Sequence, residues 1–154
     1  MSLVSVPDTL SVDRPADTIR WAAEQFGAHA LVVTASFEDA VLVHVAATAV
    51  PGIEIVLLDT QYLFAETKWL VDELTKKLDL NLRIVHPLPE VQPDNLWQSD
   101  VEACCAIRKV EPLQRSLTGK AGWITGVRRA DGPTRANTPI ASFDIGRNIT
   151  KINP

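Results

Sequence analysis

Only two of the 154 residues are cysteine, and they are adjacent: Cys104 and Cys105. A disulfide framework needs cysteines spread along the chain. Neighbouring Cα atoms lie about 3.8 Å apart, too close for the roughly 5.5 Å that a disulfide prefers, so stapling is excluded. Long apolar runs are also lacking. No stretch approaches the roughly 18 residues of a membrane-span candidate, and His44, Thr48 and Asp59 interrupt the most apolar parts. Positive charge is in deficit, with 15 Lys+Arg against 19 Asp+Glu and a formal net charge of −4. Nucleic-acid binding, which needs clustered cations against phosphate, is not expected; a local anion site stays open. Residues 1–17 carry Asp8 and Asp13 and lack a basic region followed by an apolar core. They do not read as a secretory signal, so the expected location is the cytoplasm, with no membrane association. There is no internal repeat and no low-complexity linker.

What is present is ordinary globular composition, 46% hydrophobic and 22% charged, in a length that suits a single domain over residues 1–154. Residues 15–27 place Ile19, Ala22, Ala23 and Phe26 at helical spacing before Gly27. Residues 30–34 form a short apolar run that reads as a buried strand. Residues 37–49 have helical length and are apolar nearly all round, as expected of a helix against a sheet. Pro51-Gly52 marks a turn, and 53–58 a second buried strand. In 63–78, Leu63, Thr67, Leu70, Leu74 and Leu78 recur at helical spacing. A third strand is predicted over 82–85, a stretch over 87–103 that is Pro-rich and irregular at first and then polar, a helix over 106–117, a fourth strand over 122–126, and two short strands over 140–143 and 149–152. Apolar strands alternating with helices predict an α/β fold, a mostly parallel sheet covered by helices on both faces. Such sheets bind ligands beyond the carboxyl ends of their strands.

Four segments at those ends carry unusual residues. Thr34-Ala35-Ser36-Phe37-Glu38-Asp39 follows the first strand and is expected to open a helix at once. Its N–H groups and hydroxyls suit a phosphate or sulfate, or Ser36 simply caps the helix. Asp59 ends the second strand, where it accepts from a ribose hydroxyl or a loop N–H, or caps the next helix. Arg108 and Lys109 follow the cysteines, and Arg128, Arg129 and Arg135 follow the fourth strand. These five are a third of the basic residues of an acidic chain. Arg offers bidentate recognition of phosphate and sulfate, so the pattern predicts an anionic ligand rather than two solvated charge runs. Positive charge beside a thiol also favours its thiolate. Cys104 and Cys105 therefore read either as two small core residues or as two ligands of a metal centre whose other ligands lie elsewhere.

Four segments together resemble one family: Ser36-Phe37-Glu38-Asp39-Ala40-Val41-Leu42-Val43; Leu58-Asp59-Thr60 with Glu66-Thr67; Cys104-Cys105-Ala106-Ile107-Arg108-Lys109-Val110-Glu111-Pro112-Leu113; and Trp123-Ile124-Thr125-Gly126-Val127-Arg128-Arg129 leading to Thr134-Arg135. The chain resembles the assimilatory adenylyl-sulfate (APS/PAPS) reductases, of the adenosine-nucleotide α-hydrolase-like, Rossmann-like fold, from about Trp21 to Pro154. The resemblance implies that Cys104 and Cys105 are two of four ligands of a 4Fe-4S cluster. It places Lys109 between cluster and substrate sulfate. It suggests that Ser36 and the first loop, Leu58, Gly126 and Arg135 bind the nucleotide of the substrate, adenylyl sulfate, and of its product AMP; the strand-end reading above adds Asp59, Arg128 and Arg129 to that substrate site. In the family reaction a cysteine thiolate attacks the sulfate sulfur, AMP leaves, and thioredoxin releases sulfite from the S-sulfocysteine. The family's second cysteine pair, further arginines and nucleophilic cysteine have no counterpart here. Ala35-Ser36 replaces the usual Ser-Gly, and Gln61 stands where Gly is usual. The expectation is a reductase lacking its C-terminal third and inactive alone. The rivals are a non-catalytic adenosine-nucleotide module and an ATP pyrophosphatase-type adenylating enzyme, which would want a Ser-Gly-Gly loop.

Overall fold

The computed structural model describes residues 4–38 and 40–154. Asp39, quoted in the first loop, and residues 1–3, within the stretch examined for a signal, lie outside the described residues. Six strands form one sheet in the order β3-β2-β1-β4-β6-β5. They are β1 (Leu31–Thr34), β2 (Glu54–Leu58), β3 (Asn81–Val85), β4 (Gly122–Ile124), β5 (Ala141–Asp144) and β6 (Ile149–Ile152). The first four and β6 run parallel, and β5 pairs antiparallel with β6 at the edge. The chain builds outward from β1 through β2 to β3, then returns to place β4 on the other side of β1. That reversal opens a crevice at the carboxyl ends of β1 and β4.

Both faces are covered, as the apolar runs predict. Leu31, Val33, Ile55, Leu57, Ile124 and Ile152 pack beneath α1 (Pro15–Phe26), α2 (Val41–Ala49) and α3 (Ala65–Leu78). Val32, Val56, Trp123 and Ile149 face the other way, against Leu117 and Leu113 of α5 (Glu111–Leu117). A strand buried on both faces must be apolar at every position, and Leu31, Val32 and Val33 are fully buried. Each such side chain contributes about 1.5–3 kcal/mol. α5 is tied to the outer strands by Arg83, which donates to the Ser116 carbonyl at 3.0 Å and pairs with Glu54 at 2.7 Å. Among the described residues no helix is long and apolar enough to cross a membrane.

Gly122 belongs to this packing rather than to a turn. A Cβ there would run into Leu31 Cδ2 and come within 3.3 Å of Ile152 Cδ1 and 3.4 Å of Phe26 Cδ2. Gly122→Ala is expected to cost about 1–3 kcal/mol by overpacking. The check is a lower urea midpoint at unchanged slope; an unchanged midpoint would mean that Leu31 swings aside freely.

Two expectations are corrected. The helix predicted from 37 begins at Val41. Residue 37 takes the left-handed φ of 57° and its ring is buried, 2% exposed. The chain thus tucks Phe37 into the core before turning into α2, whose N-cap is Ala40, with no side-chain cap. Ser36 therefore caps nothing and stays exposed in the loop. The second correction concerns the cysteines. The helix expected from Ala106 starts earlier, at Val101, in the last part of the stretch 87–103. The Asp100 carboxylate accepts from the Ala103 N–H at 3.0 Å, an ordinary N-cap. The cysteines therefore sit in the helix rather than ahead of it.

Candidate functional site

The sheet order sets the loops after β2, β1 and β4 side by side, so Leu58-Asp59, Ser36 and Gly126 all lie at the carboxyl ends of adjacent strands. Asp59 Oδ1 accepts from the Gln61 N–H at 2.8 Å, and its other oxygen lies 3.4 Å from His86 Nδ1. Asp59 thus shapes its own loop rather than capping α3, whose N-cap is Phe64. Gln61 takes a left-handed φ of 72°, which explains why glycine suits this position. Glu66 and Thr67 lie in the first turn of α3.

The loop after β2 faces the cysteine helix across a cleft of about 340 Å³. Thr60 and Tyr62 form one wall; Cys104, Cys105 and Lys109 form the other. Trp97 and Val101 also line it, and both are largely exposed at its mouth. The cysteine wall is one helical run made of α4 (Val101–Cys105), a π-helical turn (Ala106–Val110) and α5. In the π turn the Glu111 N–H donates to the Ala106 carbonyl, five residues back. Such bulges cluster at functional sites because they rotate the side chains that follow.

Here Arg108 points inward and is 1% exposed. One Nη2 donates to the Gln92 carbonyl at 2.7 Å and to Asp94 Oδ1 at 3.0 Å. Its other amino group lies 3.8 Å from Cys104 Sγ, and its guanidinium sits 5.2 Å from the Tyr62 ring centroid. Arg108 also lines the cleft, and differs from the cations grouped with it in being buried and paired: it is a strut that holds residues 92–94 and Tyr62 against the cysteine helix. Neither its burial nor the cleft residues Tyr62 and Trp97 were found from sequence. The i, i+4 spacing of Cys104 and Arg108 was the one available signal.

The remaining cations differ in how free they are. Arg128 closes a turn on Asp131, with Nε 3.1 Å from Oδ1 and its own N–H 2.8 Å from Oδ2. Arg129 Nε donates to the Thr138 carbonyl at 3.1 Å. Arg135 and Lys109 are exposed, and among the described residues their side chains have no hydrogen-bond or ion-pair partner. Lys109 borders the cleft, and Arg135 lies on the loop after β4.

Two carboxylates here are held below their ordinary value of 3.8. For Asp94 the first cause is the Leu96 N–H, with Arg108 adding to it. For Asp131 it is the Arg128 N–H, then the Arg128 side chain. A carboxyl depressed in the folded state contributes stability above its unfolded value, and that contribution is lost as pH falls through the folded one. The unfolding midpoint should therefore drop below about pH 4, and less steeply in Asp94→Asn. Parallel acid profiles for the two proteins would contradict this.

A 4Fe-4S cluster takes four thiolates. The sequence holds two, and among the described residues no three His, Cys, Asp or Glu gather as a metal site. Consecutive helical positions diverge by about 100°. Cys104 accordingly turns toward Arg108 and is 8% exposed, while Cys105 stays partly open to the cleft. The donor set fits half of a cluster site, on the cleft wall.

The geometry has counterparts among known proteins. The adenosine 5′-phosphosulfate reductase of Streptomyces coelicolor is 42% identical over 144 residues, covering 90% of this chain and 61% of that protein. The enzyme of the same name from Mycobacteroides abscessus is 44% identical over 143 residues, covering 89% and 60%. The chain thus spans about three-fifths of the curated relatives it matches. The crystal structure of phosphoadenylyl-sulfate (PAPS) reductase from Candida auris, a phosphate complex, superimposes with a TM-score of 0.78 at 23% identity, over 99% of this chain and 81% of that one. A flavin mononucleotide adenylyltransferase from Candida glabrata matches at a TM-score of 0.61 and 9% identity, over 98% and 54%. At these identities the two structures show the fold alone, a mostly parallel sheet covered by helices. The phosphoadenosine phosphosulfate reductase domain profile matches residues 29–154, and so takes in every strand and the two-cysteine helix; the chain belongs to that family.

Proposed function

We propose that this chain is the nucleotide-binding portion of an adenylyl-sulfate reductase, which converts adenylyl sulfate and reduced thioredoxin to sulfite and AMP. The observation that carries the reading is the cleft in which Cys104, Cys105 and Lys109 face the loop after β2, next to the switch-point crevice. In this reading Ser36, Leu58, Asp59 and Gly126 surround the nucleoside. Arg128, Arg129 and Arg135 face its anionic groups. Lys109, free of any partner in the cleft, offsets charge on the sulfonyl oxygens as the sulfur–oxygen bond to AMP breaks. Cys104 and Cys105 would hold one side of a 4Fe-4S cluster, with two thiolates from outside this sequence. Bound there, the cluster would supply an electrostatic centre beside the sulfate. Thiols that must stay reduced suit the cytoplasm. The rival reading, a module that binds adenosine nucleotides without chemistry, draws on one fact: both thiols of the sequence lie in the cleft wall, so none remains to serve as a mobile nucleophile.

Calorimetry tests the shared part. AMP and adenylyl sulfate should bind more tightly than guanosine nucleotides. Arg135→Ala should lose about 1.5–3 kcal/mol, the worth of a charge-assisted hydrogen bond. Folded protein that binds no adenosine nucleotide would remove both readings.

A further inference from the structure

We propose that Asn153 is a positioning residue for the substrate: it clamps both ends of the loop 126–140 and so sets where Arg128 and Arg135 stand. The assignment rests on the nucleotide reading above and goes beyond it, because Asn153 touches no ligand position itself. The loop leaves the sheet after β4 and returns into β5. Its departure is held by Thr125, whose N–H donates to the Ile152 carbonyl at 2.9 Å. The Thr125 hydroxyl donates to Asn153 Oδ1 at 2.6 Å and accepts from the Val127 N–H at 3.3 Å. Its return is held by Asn153 again. Nδ2 donates to the Pro139 carbonyl at 3.0 Å, and the Asn153 N–H donates to the Ile140 carbonyl at 2.7 Å.

One buried amide therefore bridges the two feet of the loop. Asn153 and Thr125 are 7% and 5% exposed, and a fully satisfied buried polar pair of this kind specifies one arrangement. Between the feet the loop is stitched to itself, through Arg128 to Asp131 and Arg129 to the Thr138 carbonyl. It can shift as a unit only if its feet move. The amide orientation is dictated on both sides. The Pro139 carbonyl only accepts and so demands the NH₂ group, which turns Oδ1 toward Thr125; the Thr125 hydroxyl, accepting from Val127, donates its one proton to that oxygen. An aspartate cannot replace Asn153, because it would turn a second acceptor on Pro139.

The test uses the full 154-residue chain and two readouts. In hydrogen exchange, Asn153→Ala should speed amides of the loop, such as Arg135 and Thr138, by about tenfold or more, and leave β1 amides unchanged. In calorimetry, Asn153→Ala should weaken AMP by about tenfold and adenosine by less than about twofold, since the arginines meet the charge. In an Arg135→Ala background, Asn153→Ala should add little further loss. Thr125→Ser, which keeps the hydroxyl, should behave as the parent; Thr125→Val should behave as Asn153→Ala, which decides the matter should the asparagine variant fail to fold. Unchanged loop exchange in Asn153→Ala and Thr125→Val overturns the clamp. Equal loss of AMP and adenosine, additive with Arg135→Ala, overturns the positioning role in favour of general destabilisation. A parent chain that protects the loop but binds no AMP overturns the nucleotide reading, and this assignment with it.

Discussion

Arg108→Ala is expected to destabilise the fold by about 2–4 kcal/mol, through the cavity it leaves and the hydrogen bonds it strands. The side chain is 1% exposed and joins the Gln92 carbonyl, Asp94, Cys104 and the Tyr62 ring. Asp94 is half exposed and can regain water, and Gln92 is exposed as well, so the pairs with them account for the smaller share; the lost packing of the buried side chain accounts for most. Arg108→Met keeps the stem volume and should lose less. Arg108→Lys should rescue little, because an ammonium has neither the fork that reaches Gln92 and Asp94 together nor a flat face for Tyr62. Urea unfolding measures all three. Equal midpoints for the parent and Arg108→Ala would show that the strut carries no load.

Sulfite release should be absent when the 154-residue chain alone is given adenylyl sulfate and reduced thioredoxin. Sulfur transfer needs a thiolate that attacks the sulfate sulfur, departs with it as S-sulfocysteine, and is then reached by thioredoxin. Cys104 is buried against Arg108, and Cys105 is anchored one position along the same helix. Neither has the travel that two successive partners require. The loss expected is complete rather than graded, since no other thiol exists in the sequence. AMP binding should survive Cys104→Ser, because the loops proposed to hold the nucleotide lie at the sheet ends. Sulfite formation that Cys104→Ser abolishes would identify a helix cysteine as the nucleophile and end the cluster assignment.

Much of the fold is legible locally. The apolar runs at 30–34, 53–58 and 122–126 hold β1, β2 and β4, because a strand buried on both faces needs no partner to be recognised; 82–85 lies in β3, an edge strand whose Arg83 and Ile84 are exposed. Gly27 stops α1 with a φ of 82°, and helical spacing marks α3 to within two residues of its start. The misplaced boundaries have two causes. Phe37 is drawn into the core, which delays α2; Asp100 caps a helix whose first piece, Val101–Cys105, is too short to show an apolar period. Both are tertiary or capping effects that outweigh periodicity.

From sequence alone came the parallel α/β sheet, the strand-end loops that hold Ser36, Asp59 and Gly126, and the paired cysteines beside positive charge. Only the tertiary structure separated the cations by role. Arg108 lies one residue from Lys109 in sequence, yet one is buried beneath Tyr62 and the other is free at the cleft. Likewise Asn153, at the tail of the chain, holds a loop that begins beside Thr125. The physical reason is that strand and helix formation are set by near neighbours in the chain. Whether a charged side chain becomes a strut or a ligand is set by the groups that pack against it, and here those come from distant segments.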